Sequence, residues 1–256
     1  MPTPFMHLAL ANEVLGDRRL PPDAQRLLLQ EQGPFLLGNT APDVQTVSGQ
    51  SRVETHFYTL PRTADTPAHE ALLARYPELG RPDLLPASQA AFVAGYIAHL
   101  AVDEIWLDCI FLPHFKDGVE PWAERAFQHN VLRTWMDRQD LHRLDSALTA
   151  AVLKQARPHG WLPFVSDRAL QDWRDWLVSQ LKPGRRAQTA EVFAERMGVS
   201  AAEMEAVVDS PQQMAERVFR RVPESILRAF REASYNESIV RITHYLQFCS
   251  EQEIAQ

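Results

Sequence analysis

His99 and Asp103 stand four residues apart within one long apolar run, Ala87 to Phe111. If the run is helical, the two side chains share a face, with Cβ atoms about 5–6 Å apart. An imidazole and a carboxylate so placed can bind one metal ion, or can hydrogen-bond and satisfy each other in a core. Burying both without a partner would be costly. The spacing therefore predicts a polar or metallated site at the centre of a helical core. Further ligand types lie upstream: Asp43 ends Phe35-Leu36-Leu37-Gly38-Asn39-Thr40-Ala41-Pro42-Asp43, His56 follows Arg52-Val53-Glu54-Thr55, and His7 opens an apolar segment after Pro4-Phe5-Met6. Asp43, His56, His99 and Asp103 make a two-nitrogen, two-carboxylate set suited to zinc or a similar divalent ion.

Together, His7, the Gly38–Asp43 loop, Thr55-His56 and Gly95-Tyr96-Ile97-Ala98-His99-Leu100-Ala101-Val102-Asp103 resemble the zinc-dependent phospholipase C family. That family shares an all-α fold with the P1-type nucleases. The likeness covers roughly the first 110 residues, and its specificity comes from the order and spacing of the ligand types rather than from any single one. It implies a cluster of three zinc ions held on helices. Asp43, His56, His99 and Asp103 match the ligands of one zinc. Asp103 would bridge to a second, beside a histidine matching His7 and the chain's own N-terminal amine; removal of Met1 would leave the Pro2 amine near His7 in sequence. Asp43 also matches the carboxylate that assists the attacking water. At the third zinc the sequence departs from the family. Cys109 falls near the position of its first ligand, and His129 is followed by Arg133, and His142 by Ser146, where an acid is needed. The expectation is thus one to three zinc ions, with the third site in doubt.

The activity the resemblance implies is metal-dependent hydrolysis of phosphate esters, phospholipase C-like or nuclease-like, on a small phosphate ester or a phospholipid. Two alternatives stay open: a zinc-stabilised helical binding protein without turnover, and a His–Asp core without metal. The formal net charge of −7 argues against a binder of nucleic-acid backbone. No apolar stretch reads as long and uncharged enough to span a bilayer, since Ala87 to Leu112 contains His99, Asp103, Glu104 and Asp108. Cys109 and Cys249 make no disulfide framework. The start Met1-Pro2-Thr3-Pro4-Phe5 has neither a basic nor an apolar leader region, which with the low cysteine use points to the cytoplasm.

The elements that must position these residues read as helical nearly throughout, with 45% hydrophobic residues to fill a core. One all-α domain over 1–256 is expected, a phospholipase C/P1 nuclease-like bundle with the metal site in 1–115 and 160–256 as a C-terminal helical extension. Helices are expected at Phe5–Leu15, Pro22–Gln30, Pro67–Tyr76, Ala87–Leu112, Pro121–Gln155, Asp167–Leu181, Ala187–Met197, from Ser200, at Pro211–Glu232 and at Asn236–Gln252. Ser200 and Glu203 have the spacing of a capping box. Gln32 to Pro67 reads as a loop delivering Asp43 and His56, and Lys182–Arg186 as a solvated turn. Trp106, Trp135, Trp173 and Trp176 have core spacing, Cys109 reads as a small core residue, and His114 as a helix-terminus residue. His129 reads as solvated or hydrogen-bonded, and His142 with Asp145 as a surface pair.

Overall fold

The computed structural model describes residues 1–60, 65–182 and 187–247, and among them every regular element is helical. The first part of the chain forms α1 (Pro4–Leu15), α2 (Pro22–Gln30), α3 (Gln32–Gly38), α4 (Gln45–Ser48), α5 (Arg52–His56) and α6 (Ala68–Arg75). The long α7 (Ala87–Trp106) and α8 (Trp122–Arg143) follow. The rest is α9 (Ser146–Leu153), α10 (Asp167–Gln180), α11 (Thr189–Met197), α12 (Ala201–Val208), α13 (Pro211–Gln213) and α14 (Glu224–Gln247).

α7 is the axle. Sixteen of its twenty residues are buried, because α3, α14 and α6 pack along it. Two glycines let α3 come close: a Cβ on Gly38 would lie 2.0 Å from the Phe92 carbonyl oxygen, and one on Gly95 would lie 2.3 Å from that of Phe35. Only backbone-to-backbone contact fits there, and it brings the end of α3 beside His99. Beyond Trp106 the chain continues as a π-helical stretch, Leu107–Lys116, that accommodates Pro113. The whole span Ala87–Lys116 is long and apolar enough by composition to cross a membrane, contrary to the expectation that no stretch is; 89% of its apolar window is buried inside the fold.

α1 is buried on most sides, starts at Pro4 after Thr3, and is anchored at its first turn: Phe5 N–H donates to Asp137 Oδ1 on α8 at 3.0 Å. The core falls into two clusters. Phe5, Leu8, Ala98 and Leu100 belong to one, and Met6, Leu10, Val102 and Trp106 to the other. His7, His99 and Asp103 lie at the seam, where α1 and α7 cross from one cluster to the other.

Several expected elements are redrawn. Gln32–Pro67 is not a plain loop: its described residues carry α3, α4, α5 and a 3-10 turn at Ala41–Val44. Pro121–Gln155 is two helices, because Asp145 starts α9 by accepting from Leu148 N–H at 2.9 Å. Pro211–Glu232 is interrupted before Pro223, and α14 then runs unbroken from Glu224 through Asn236. Cys109 is exposed rather than in the core. Trp106 and Trp173 are fully buried, Trp135 and Trp176 only partly. The Ser200–Glu203 capping box is present. The 183–186 part of the expected turn, the end of the last expected helix, and Cys249 lie outside the described residues.

Candidate metal centre

The five residues singled out from sequence converge. His7 comes from α1, Asp43 from the 3-10 turn after α3, His56 from the last position of α5, and His99 and Asp103 from one face of α7. His7, His56, His99 and Asp103 are at most 1% exposed, while the Asp43 side chain keeps 17%. Donor atoms of His7, His99 and Asp103 all lie within 4.8 Å of one another, and so do those of Asp43, His56 and His99. His99 is common to both triplets. The His7 and His99 rings stack at 3.8 Å.

Second contacts set which nitrogen faces the centre. His99 Nδ1 lies 2.8 Å from the Asn39 carbonyl oxygen, which can only accept, so Nδ1 carries the proton and Nε2 is bare. His56 Nδ1 lies 2.9 Å from Thr55 Oγ1, and that hydroxyl donates to the Arg52 carbonyl, so Nδ1 is again the donor. Two local features seat α5: a Ser51–Glu54 capping box, and the Tyr96 hydroxyl donating to the Thr55 carbonyl. Phe57 then turns the chain away in a left-handed conformation, φ 62°, held by edge contacts with Tyr76 and Phe164.

The inward atoms have no partner. His7 Nε2, His56 Nε2, His99 Nε2 and Asp103 Oδ1 are buried and make no hydrogen bond. Asp103 faces both sides, with Oδ1 3.6 Å from His7 Nε2, and Oδ2 3.4 Å from His56 Nε2 and 3.7 Å from His99 Nε2; His56 Nε2 is 3.5 Å from Asp43 Oδ1. These gaps are longer than ordinary hydrogen bonds. They are close to the separation of about 3.3 Å between two ligands on a tetrahedral zinc with bonds of 2.0–2.1 Å. Bare imidazole nitrogens and carboxylate oxygens at that spacing fit a divalent ion, and leaving them unpaired would cost stability.

Electrostatics hold the two carboxylates ionised and His7 neutral, and draw His99 toward its charged form in the absence of another cation. Burial, aided by His99, lowers His7 to about 4. Burial raises Asp43 and Asp103, but His56 and His99 beside Asp43, and His99 and Arg52 beside Asp103, outweigh it and hold both carboxyls below their ordinary range. Burial opposes charge on His99, yet Asp103 raises it above its ordinary value.

Sequence reasoning missed Arg52. Its Nη2 lies 2.5 Å from Asp103 Oδ2 and its Nη1 4.0 Å from Asp43 Oδ1, so one guanidinium spans both carboxylates. The signal was present: Arg52 and His56 are one helical turn apart on α5. Arg133 also reaches the site, from α8, with its guanidinium 4.0 Å over the Phe193 ring. The Met1 amine is buried among the same charges, and burial followed by Arg133 lowers its pKa well below the ordinary value.

The third-ion positions do not assemble. His129 Nε2 accepts the Trp106 indole N–H at 3.0 Å, which settles His129 as a buried, hydrogen-bonded residue. Arg133 puts a cation where an acid would be needed, and Cys109 faces solvent. His69 is buried against Arg241 at 2.8 Å, and His142 is exposed.

A cavity of about 70 Å³ opens beside the cluster, lined by Asp43, Arg52, Arg133, Arg196 and the aromatic side chains of Trp173, Trp176 and Phe193. Trp173 is fixed there by donating to Thr40 Oγ1 at 3.2 Å, and it stacks on Trp176 at 5.0 Å. Among the five candidate ligands, only Asp43 lines this cavity. No family model, no curated protein and no solved structure matches the chain.

Proposed function

We propose that the chain is a metal-dependent hydrolase of phosphate esters, with a helical fold of the phospholipase C/P1 nuclease kind, whose centre is His7, Asp43, His56, His99 and Asp103. The observation that carries this reading is the set of buried, unpartnered donor atoms turned toward one another. Zinc is the ion proposed, from the mixed imidazole and carboxylate donors. When bound, such an ion supplies a Lewis acid for a phosphoryl oxygen and a means of making water nucleophilic near neutral pH.

The chain's own residues do the rest. His56, His99 and Asp103 hold the buried side, with His7 on the far face of Asp103. Asp43 is the one candidate ligand with access to the cavity, so its carboxylate takes the proton of the attacking water there. Arg52, between Asp43 and Asp103, helps keep Asp103 ionised in a buried site and lines the cavity beside Asp43. The buried imidazoles and the aromatic walls exclude bulk water, which strengthens each of these contacts.

A second reading has its own support. Arg52 already neutralises the Oδ2 side of Asp103, and His129 and Arg133 do not assemble as metal ligands. Both features suit a protein that binds one ion, or a phosphorylated ligand, without turnover. The deciding experiment measures metal per chain in protein purified without added metal, and hydrolysis of phenyl phosphate and bis(nitrophenyl) phosphate before and after chelation. Bound metal with chelator-sensitive hydrolysis supports the hydrolase. Bound metal without hydrolysis supports the binding protein, and absence of metal overturns both metal readings.

A further inference from the structure

We infer that the cavity beside the centre is a receptor for a terminal phosphate group, gripped by Arg52, Arg133 and Arg196, so that the substrate class is phosphate monoesters rather than diesters. The inference rests on the hydrolase reading for the fate of the ester, but not for the binding of the anion.

The whole chain carries −7, yet three guanidiniums line one cavity that holds a single carboxylate, Asp43. Their pairing is incomplete. Arg52 is shared between Asp103 and the Tyr58 hydroxyl. Arg133 donates to Asn130 Oδ1 at 2.9 Å and lies over Phe193, while its Nε is buried without a hydrogen-bond partner. Neither Arg133 nor Arg196 forms an ion pair among the described residues. A buried cation with an unmade hydrogen bond is costly. An anion in the cavity removes that cost, and the planar fork of arginine fits phosphate with two parallel bonds.

Charge chooses the kind of phosphate. With Arg52 committed to the buried Asp103, Arg133 and Arg196 are the two cations at the cavity without an ion pair among the described residues. A monoester, with its second pKa near 6, is close to a dianion at neutral pH. A diester offers only one charge to these guanidiniums. The single substituent of a monoester would lie along the Trp173–Trp176 wall, where an apolar or aromatic group gains contact.

The test is calorimetric titration of inorganic phosphate into the full chain as purified, repeated for Arg133→Gln and Arg196→Gln, with phenyl phosphate and diphenyl phosphate as competitors. Each variant is expected to weaken phosphate binding by on the order of tenfold, the loss of one charge-assisted contact. Phenyl phosphate is expected to compete at about a tenth of the concentration diphenyl phosphate needs. Unchanged phosphate affinity in both variants, or diphenyl phosphate binding as tightly as the monoester, overturns the inference. Arg196 is exposed on α11, so its variant decides the matter if Arg133→Gln fails to fold. Metal content is read on the same samples. Arginine-dependent phosphate binding in a metal-free parent upholds this inference while the metal reading falls. Phosphate binding that needs the metal but neither arginine overturns it while the metal reading stands.

Discussion

His99 on α7 and His129 on α8 are both buried, and each has a charged residue one turn later: Asp103 after His99, Arg133 after His129. They differ in which nitrogen is occupied. A backbone carbonyl takes His99 Nδ1 and leaves Nε2 bare in a cluster with four other ligand-type residues. An indole N–H takes His129 Nε2 and leaves nothing for an ion on that side. Burial and helical spacing are alike in the two, so neither property identifies a ligand. What separates them is the contact behind the ring, which sets the tautomer and the direction of the lone pair.

The sharpest way to break that comparison is to truncate both rings. His99→Ala removes the donor common to both triplets and is expected to lower metal affinity by at least about a hundredfold. His129→Ala is expected to leave metal content unchanged, though a buried ring is lost. Metal per chain, measured on folded protein of each variant, checks this. Equal metal in His99→Ala and the parent would remove His99 from the centre.

The α8 face offers a second contrast, one turn beyond Arg133. Asp137 is a buried acid that holds the start of α1 and accepts the Thr189 hydroxyl, and burial raises it to about 6. Its folded-state pKa lies above the ordinary 3.8, so its contribution to stability is complete below about 3.8 and is lost as pH rises through about 6. The shift from 3.8 to about 6 corresponds to about 3 kcal/mol. Asp137→Asn keeps a group that can accept from Phe5 and donate to Thr189, and does not ionise. Chemical denaturation at pH 4 and pH 7 should show the variant gaining up to about 3 kcal/mol relative to the parent across that range. A constant difference between the two would show that Asp137 does not titrate in this window.

The all-helical class and the His99–Asp103 pair were legible from local signals, whereas the joining of His7, Asp43 and His56 to that pair was expected from their residue types and from the resemblance in ligand order. The one-turn spacing of His99 and Asp103 holds in any helix, and the apolar run around them is that of a helix buried in the core. The partners of those residues were not legible. The group that orients His99 is a backbone carbonyl, at Asn39, which no residue type announces. Its position depends on Gly38 and Gly95 letting two backbones meet. The basic cavity joins Arg52, Arg133 and Arg196 from three separate helices, a juxtaposition made by tertiary packing. The break at Leu144–Asp145 was readable in principle, since Asp145 is a good N-cap, but the apolar positions on either side ran in one helical register.

His56 sharpens the comparison at smaller scale. Its Nδ1 is tied to a side chain, Thr55 Oγ1, which can be removed without touching the ring. Thr55→Val keeps the volume and deletes the acceptor. Loss of such an orienting contact is expected to weaken metal binding by about 10- to 100-fold. Competition with a chelator of known affinity measures it. Unchanged affinity would mean that α5 packing alone, through Tyr96 and the Ser51–Glu54 box, fixes the ring.

The smallest effect on the metal is expected where the other histidine loses its tie. Trp106→Phe deletes the indole N–H that His129 Nε2 accepts, so the lone pair becomes as bare as that of His99. If a bare, buried imidazole nitrogen were enough to recruit an ion, the variant should bind additional metal. The expectation is that it binds no more than the parent. Arg133 lies one turn along α8 with its cation in the same region, and the Met1 amine is close enough to influence His129 as well. Repulsion from the Arg133 cation would oppose a divalent ion there. The variant should nevertheless lose about 1–3 kcal/mol of stability, the cost of an unpaired buried acceptor, so a thermal melt and a metal count together separate the two effects. Extra metal in Trp106→Phe would show that the indole contact alone kept His129 from acting as a ligand; an unchanged count would assign that role to the charge Arg133 brings.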